Sequence, residues 1–237
     1  MIDCTLLQNT AQQFGISLDA RALSCMDSYA EALGQTNAHI NLTAITDPTD
    51  MLYKHFLDSL TVFSVCCPAQ NTAWLDVGTG AGFPGAVLLA ARPDLKMTFL
   101  DGTKKKLQFI ADTLKTLDLT GNFVHARAEE AGQNELYREK FDFVSARAVA
   151  NLRELTEYCL PFVRIGGTFI AMKSVKTDEE LHEAEHAIHM LGGKTDGVKT
   201  LSLPNGDVRT LISIKKISQT PTKYPRPSAK SAKQPLR

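Results

Sequence analysis

The chain has no hydrophobic run long enough to cross a membrane. Its longest uninterrupted apolar stretch, residues 86–91, is far shorter than the roughly 20 residues that a membrane-spanning helix needs. Residues 1–15 have neither the basic start nor the apolar centre of a secretory signal. We therefore expect a soluble, cytoplasmic protein without membrane contact.

The five cysteines do not form a metal-binding or disulfide pattern. None stands in a C-x-x-C pair, and the odd count includes the adjacent Cys66 and Cys67. An H-E-x-x-H pattern at residues 182–186 is typical of zinc enzymes, but Gly192 stands where a third histidine would be expected. We interpret the cysteines as reduced, buried thiols and the two histidines as part of a wet helix face, so we expect no metal.

The zero net charge hides an uneven distribution. Residues 215–237 carry seven basic side chains and no acidic one, whereas the rest of the chain carries 19 basic and 26 acidic side chains. An acidic body with one cationic arm favours a polyanionic partner. Four prolines between residues 221 and 235 speak against a regular element there, so we expect an extended arm.

The first 70 residues have helical periodicity. Apolar residues from Leu23 to Leu33 recur at spacings of three and four, which predicts one helix. Asp47 and Pro48 are typical of a helix start, and apolar residues spaced by about four follow them. We expect these helices to pack as an N-terminal extension (1–70) on a core (71–216), which a basic C-terminal arm (217–237) follows.

From residue 72 the pattern alternates short apolar runs with helical stretches. This alternation predicts an α/β fold with a doubly wound sheet, whose ligands bind at the carboxyl ends of the strands. A helix at 178–191 and a strand pair at 198–203 and 210–215 complete the pattern. The earlier predicted strands are 73–77, 97–100, 122–125, 141–145 and 168–172, and the helices between them are 84–91, 104–117, 129–137 and 152–163.

A glycine-dense turn, DVGTGAGFPG at residues 76–85, directly follows the first predicted strand. Gly78, Gly80 and Gly82 let a ligand approach the backbone closely. The turn also contains the G-x-G-x-x-G pattern of dinucleotide binding, which on its own is a weak signal.

Two acidic residues help to identify the cofactor. Asp101 ends the second predicted strand and suits ribose hydroxyls of either a dinucleotide or S-adenosylmethionine. Asp76 would repel a pyrophosphate but attract the sulfonium and ammonium groups of S-adenosylmethionine. The charge therefore favours a methyltransferase over an NAD(P)-dependent oxidoreductase, which stays an alternative.

The turn after the fourth predicted strand, SARAVA at residues 145–150, bears on the methyl acceptor. It contains no Asn or Asp followed by Pro-Pro, the polar turn that usually holds an exocyclic amine, and no cysteine is placed to attack a pyrimidine C5. Guanine N7 exposes a lone pair and has no proton to lose, so methyl transfer to it needs positioning rather than a general base. We expect no catalytic base, and we expect Arg147 and Lys173, just beyond strand ends, to position the reactants.

The C-terminal arm has the composition of an RNA-binding segment. Tyr224 lies between Lys223 and Arg226, so its ring is predicted to stack on a base while the two cations meet phosphates.

Several segments together resemble the 16S ribosomal RNA guanine-N7 methyltransferase G family, also called glucose-inhibited division protein B. Besides the glycine loop with its FPG ending, they are NLT (41–43), HFLDSL (55–60), AEE (128–130), ARAVA (146–150) and TPTKYPR (220–226). The resemblance implies a seven-stranded, class I (Rossmann-like) S-adenosylmethionine-dependent fold with N-terminal helices. It implies a target guanine in the decoding-region loop of small-subunit ribosomal RNA, and it puts His55 in the wall of the cleft. The cofactor contacts that it implies are Gly78, Phe83, Ala128, Glu129 and Arg147.

The chain departs from the family pattern at three positions. Gly102 replaces a usual serine, and Ala229 and Ser231 replace a glycine and a proline in the arm, which leaves the conformation of the arm open. A non-catalytic RNA-binding protein on a methyltransferase fold and a small-molecule methyltransferase also stay as hypotheses. We expect ribosomal RNA or a ribosomal particle as the partner of a monomer.

Overall fold

A computed structural model describes residues 1–147, 150–174 and 177–236 of the chain. Ala148 and Val149 of the ARAVA segment, and Arg237 of the arm, lie outside the described residues. At the centre is a seven-stranded sheet in the order β3-β2-β1-β4-β5-β7-β6. The strands are β1 (Ala73–Val77), β2 (Lys96–Asp101), β3 (Asn122–His125), β4 (Phe141–Arg147), β5 (Val163–Lys173), β6 (Gly193–Ser202) and β7 (Val208–Lys216).

The strand order confirms the doubly wound α/β fold. β1 pairs in parallel with both β2 and β4. The strands up to β3 therefore lie on one side of β1 and those from β4 onward on its other side, so that the strand order reverses between β1 and β4. In such sheets this switch point is where ligands bind, at the carboxyl ends of the strands. β7 runs antiparallel to β5 and β6, which the turn between Leu203 and Asp207 makes possible.

Helices cover both faces of the sheet. Alternate residues of β1 point to opposite faces, and accordingly Trp74 belongs to one core cluster and Leu75 to the other. No helix in the described part of the chain is long and apolar enough to span a bilayer. The helices are α1 (Cys4–Gln13), α2 (Ala20–Asn37), α3 (Pro48–Met51), α4 (Asp58–Leu60), α5 (Gly85–Ala91), α6 (Lys104–Thr116), α7 (Ala128–Ala131), α8 (Leu152–Cys159), α9 (Thr177–Met190) and α10 (Ser228–Lys233).

The helical segment after Asp47 begins as predicted but contains a wider turn. Asp47 Oδ1 accepts a hydrogen bond from the backbone N–H of Asp50, and Pro48 is the first helical residue. Residues Leu52–Leu57 form a π-helix between α3 and α4. Apolar spacing near four does not distinguish a π-turn from an α-turn, so the sequence did not predict it. Such turns often occur at functional sites, and this one carries His55.

The predicted helix over 129–137 is too long, because α7 ends after one turn. The backbone N–H of Leu136 donates to the side chain of Asn134 instead of continuing the helix. The Gly132 carbonyl, which a longer helix would use, accepts from Arg138 Nη1 at 2.8 Å.

The prediction of an arm without regular structure is also wrong in part. α10 lies within the arm, in the proline-free interval between Pro227 and Pro235. Tyr224 and Leu236 are buried against the body of the protein, so the arm folds back rather than extending.

Candidate active site

The glycine loop after β1 has a backbone that requires glycine. Gly78, Gly80 and Gly82 have φ angles of 67°, 58° and 93°, in the left-handed region that side chains disfavour. A Cβ on Gly82 would collide with the Tyr29 hydroxyl, which donates to the Ala81 carbonyl at 2.8 Å. Helix α2 thus helps to hold the loop in place.

Asp76 lies beneath the loop and organises it. Its Oδ2 accepts from Thr79 Oγ1 and from the Gly85 backbone N–H, and its Oδ1 accepts from Ser145 Oγ. The carboxyl group is fully buried, and burial raises its pKa to about 6 against the opposing effect of these donors. Asp76 therefore stays mostly ionised at neutral pH and places negative charge under the loop.

The predicted residues after β2 and β3 meet at the same edge. Asp101 Oδ2 accepts from the Gly80 backbone N–H at 2.9 Å, which ties the end of β2 to the glycine loop. Asp101 pairs in register with His125, so the segment with Ala128 and Glu129 begins directly beside it. The Glu129 side chain is 11% exposed, and its carboxylate lies 3.7 Å from Arg127 Nε.

Phe83 and Arg147 connect the glycine loop to the N-terminal extension. The Phe83 ring stacks on His55 with ring centroids 4.4 Å apart, and the Arg147 guanidinium carbon lies 5.3 Å from the Phe83 centroid. Arg147 Nη1 donates to the Lys54 carbonyl at 2.8 Å. Arg147, at the end of β4, therefore lies where the predicted cofactor loop meets the π-helix.

His55 is held in its neutral form. Arg147 Nη2 can only donate, and it lies 3.2 Å from His55 Nδ1, so Nδ1 accepts and Nε2–H donates to Thr43 Oγ1 at 2.8 Å. Burial, and then the positive charge of Arg147, lower the pKa of His55 to about 4.

Asp58 binds two arginines that lie far from it in the sequence. Its Oδ2 accepts from Arg147 Nη1 at 3.0 Å and its Oδ1 from Arg209 Nε at 3.1 Å. Burial raises the pKa of Asp58, while both guanidinium groups act to lower it. The carboxylate fixes the position of both cations through charge-assisted hydrogen bonds.

These groups surround a cavity of about 350 Å³ at the carboxyl edge of β4 and β5. Lys173, at the end of β5, donates to the Ala150 carbonyl and lies 2.8 Å from Glu180 Oε2. Among the described lining residues, four are cationic and one, Asp58, is a carboxylate. The lining residues are Ile45, Lys54, His55, Asp58, Arg147, Met172, Lys173, Ser174 and Arg209.

The residues predicted to bind RNA do not lie at this cavity. Tyr224 is 5% exposed, and Arg226 makes an ion pair with the buried carboxylate of Glu157 at 2.6 Å. Lys223 alone of the three is exposed. In this conformation the Tyr224 ring is not accessible for stacking on a base.

Sequence reasoning missed Arg209 and Asp58. Arg209 lies at the start of β7, and Thr210 pairs with Lys173 because β7 is antiparallel to β5. The first residues of an antiparallel strand lie at the same edge as the last residues of its parallel neighbours. A predicted antiparallel strand pair was thus the available signal for Arg209, whereas Asp58 appeared only within the HFLDSL segment and its place on a predicted helix gave no signal for an arginine partner.

The switch-point site and the glycine loop are those of the class I methyltransferase fold. TrmN from Thermus thermophilus shares the fold with a TM-score of 0.52 at 15% identity, over 70% of this chain and 53% of that chain. So does a protein from Bacillus halodurans provisionally named a methyltransferase, with a TM-score of 0.51 at 14% identity, over 68% of this chain and 99% of that one. The sequence profile described as rRNA small subunit methyltransferase G matches residues 22–210, and the chain belongs to this family.

Full-length relatives agree with this assignment. Ribosomal RNA small subunit methyltransferase G from Leuconostoc mesenteroides is 45% identical over 225 residues, which are 94% of each chain. The protein of the same name from Acetivibrio thermocellus is 46% identical over 236 residues, or 98% of this chain and 96% of its own. The predicted family and the prediction of a methyltransferase are confirmed.

Proposed function

We propose that this enzyme transfers a methyl group from S-adenosylmethionine to N7 of a guanine in the decoding-region loop of small-subunit (16S) ribosomal RNA. The name of the family supports ribosomal RNA as the substrate. The cavity beside the glycine loop is the observation that carries the proposal, because its guanidinium and ammonium groups, each held in place by a neighbouring carboxylate, suit the phosphates and base edges of a nucleotide.

The residues at the glycine loop fit S-adenosylmethionine. A Cβ on Gly80 would meet only the Gly78 carbonyl, 3.9 Å away, among the described residues, so a ligand can lie close to the backbone there. Asp76, Asp101 and Glu129 make this part of the site acidic, which suits a cationic nucleoside better than a pyrophosphate. Gly78, Gly82, Phe83, Ala128 and Arg147 would complete its binding site.

Methyl transfer to N7 requires the protein to position the reactants but not to remove a proton. S-adenosylmethionine, when bound, supplies a methyl group on a sulfonium, which a nitrogen lone pair can take while the bonding electrons stay with sulfur. No proton leaves N7, so a neutral His55 with a pKa of about 4 is compatible with the reaction. Arg147, Arg209 and Lys173 would hold the acceptor nucleotide in line, because reacting atoms must approach to about 3–3.5 Å.

The remaining expectations follow from this assignment. An enzyme of ribosomal RNA works where ribosomes are assembled, so we place it in the cytoplasm. The substrate is the RNA or the assembling particle, the protein acts as a monomer, and the site uses no metal.

The test is methyl transfer to ribosomal particles from cells that lack this protein. With S-adenosylmethionine labelled in its methyl group, we expect one N7-methylguanine in the decoding-region loop, located by chemical cleavage at the modified base. Arg209→Met should raise KM for the RNA about tenfold with little change in cofactor affinity, because it loses charge-assisted contacts.

The matched control is Arg164→Met, which changes an exposed ion pair with Asp142 near the opposite end of β5. Label in an exocyclic amine or a pyrimidine would contradict the N7 assignment. Cofactor binding without transfer to any particle would favour a non-catalytic RNA-binding protein.

A further inference from the structure

The described part of the C-terminal arm, residues 217–236, is docked on the protein body at several points. Tyr224 and Leu236 belong to the core cluster that contains α8 and α9. The Tyr224 hydroxyl lies 2.9 Å from the Met190 sulfur at the end of α9. At the start of the arm, the backbone N–H groups of Ile217 and Ser218 both donate to the Gly192 carbonyl.

Arg138 is surrounded by backbone carbonyls of two segments. Its Nη2 donates to the carbonyls of Thr220 and Pro221, at 2.8 and 3.2 Å. Its Nη1 donates to the carbonyls of Tyr224 and Gly132, each at 2.8 Å. One guanidinium therefore links the arm to the segment that follows α7.

The arm also packs directly against the end of α7. A Cβ placed on Gly132 would lie 2.8 Å from Pro225 Cγ, so the Pro225 ring packs against the Gly132 backbone too closely to leave room for a side chain there. Gln133 Nε2 donates to the Pro225 carbonyl at 2.9 Å. Because α7 has only four residues, its own hydrogen bonds cannot hold its position.

A second attachment point lies on α8, whose first residue follows the loop after Arg147. The Arg226 Nε and Nη2 groups donate to the two oxygens of Glu157 at 2.7 and 2.6 Å, and the Arg226 backbone N–H donates at 2.8 Å. Glu157 is 1% exposed, so this is a buried, fully hydrogen-bonded ion pair. The arm thus bridges the elements that follow β3 and β4.

We propose that the C-terminal arm positions helix α7, which carries Ala128 and Glu129, and thereby sets the affinity for S-adenosylmethionine. The inference rests on the proposed function, since it assumes that α7 contacts the cofactor. Arg138 and Pro225 are positioning residues, because they act through α7. The charge and the ring of the TPTKYPR segment serve contacts within the protein: Arg226 neutralises Glu157, and Tyr224 fills the core.

The first test is Gly132→Ala. Gly132 has a φ of −67°, which alanine adopts without strain, so the added methyl acts through its contacts, 2.8 Å from Pro225 Cγ and 3.1 Å from the Ala128 carbonyl. The closer contact pushes the Pro225 ring and the arm away from α7. We expect the Kd for S-adenosylmethionine, measured by calorimetry, and its KM to rise about tenfold. We expect kcat and KM for the ribosomal particle to stay within about twofold of wild type. The matched control is Gly34→Ala, at an exposed position of α2.

A second variant keeps the inference testable even if Gly132→Ala does not fold. Arg138→Lys keeps the charge but cannot reach four carbonyls, so it should weaken cofactor binding in the same direction. A triple change of the exposed Lys223, Lys230 and Lys233 to Gln should leave cofactor affinity unchanged.

Equal cofactor affinity in wild type, Gly132→Ala and Arg138→Lys would overturn the inference while the proposed function stands. Weaker RNA binding by Gly132→Ala with unchanged cofactor affinity would also overturn it and assign the arm to RNA. Absence of cofactor binding by the wild type would overturn both proposals.

Discussion

At the scale of single residues, the site depends on groups whose charge states the fold selects. Asp58 accepts hydrogen bonds from two arginines that oppose the rise of its pKa on burial, and His55 stays neutral because it is buried beside Arg147. A protonated His55 would face the Arg147 guanidinium with a second positive charge.

This environment predicts a pH dependence that belongs to His55. Its pKa in the folded protein is about 4, below its ordinary value near 6.5, so between these values the unfolded chain binds the proton and the folded chain does not. Its contribution to stability is therefore present above pH 6.5 and lost as the pH falls towards 4. Asp76 acts in the opposite direction, because its raised pKa favours the folded form at low pH.

The variant His55→Gln separates the two groups. The difference in free energy of unfolding between wild type and variant should change by about 1.4 kcal/mol per pH unit across this window, with the wild type losing more on acidification. Urea titrations at pH steps check this, and parallel curves for the two proteins would contradict the neutral buried histidine.

At the scale of elements, the glycine loop is held by neighbouring elements as well as by its own hydrogen bonds. Tyr29 of α2, Asp76 of β1 and Asp101 of β2 each bind or enclose one part of it. The start of α5 is packed as tightly as the loop itself.

A substitution at Gly85, the first residue of α5, would test how tight this packing is. A Cβ there would lie 2.7 Å from Phe99 Cε1 and 2.9 Å from Asp76 Oδ2. Gly85→Ala should destabilise the protein by about 1–3 kcal/mol through overpacking, and should displace Asp76 and with it the glycine loop.

Gly34→Ala is again the control, because among the described residues no heavy atom lies within 4 Å of a Cβ there. In mid-helix it should stabilise by about 0.5–1 kcal/mol. Equal midpoints of chemical unfolding for Gly85→Ala and wild type would show that the loop can relax around the methyl group.

At the scale of the whole molecule, the N-terminal extension and the core share one hydrophobic cluster. Leu7, Met26 and Phe56 belong to the same cluster as Trp74 of β1 and Phe99 of β2. The Arg147–Asp58 ion pair joins the same two parts at the cavity.

We therefore expect residues 1–70 and the core to unfold together. Trp74, the single tryptophan, is fully buried and stacks on Phe143, so its fluorescence reports the core. Far-UV circular dichroism reports the helices as well, and both signals should have the same urea midpoint. An earlier loss of helix signal would show that the extension unfolds independently.

The sequence by itself determined the order and type of most elements. Hydrophobic periodicity and capping are local properties, and so β1 and β3 occur at the predicted residues, while α6 begins at the predicted Lys104. The glycine loop and its acidic partners were predictable for the same reason, since the backbone of a tight turn demands glycine wherever the turn lies.

Only the tertiary structure decided which distant residues meet. Asp58 lies 89 residues from Arg147 and 151 from Arg209 along the chain, and the antiparallel direction of β7 brings all three to one cavity. The extended conformation predicted for the arm was wrong because composition reports charge and chain stiffness, but not packing partners. Arg226 forms an ion pair with the buried carboxylate of Glu157, and Tyr224 packs into a hydrophobic core cluster. Both contacts join residues that meet only in the folded protein.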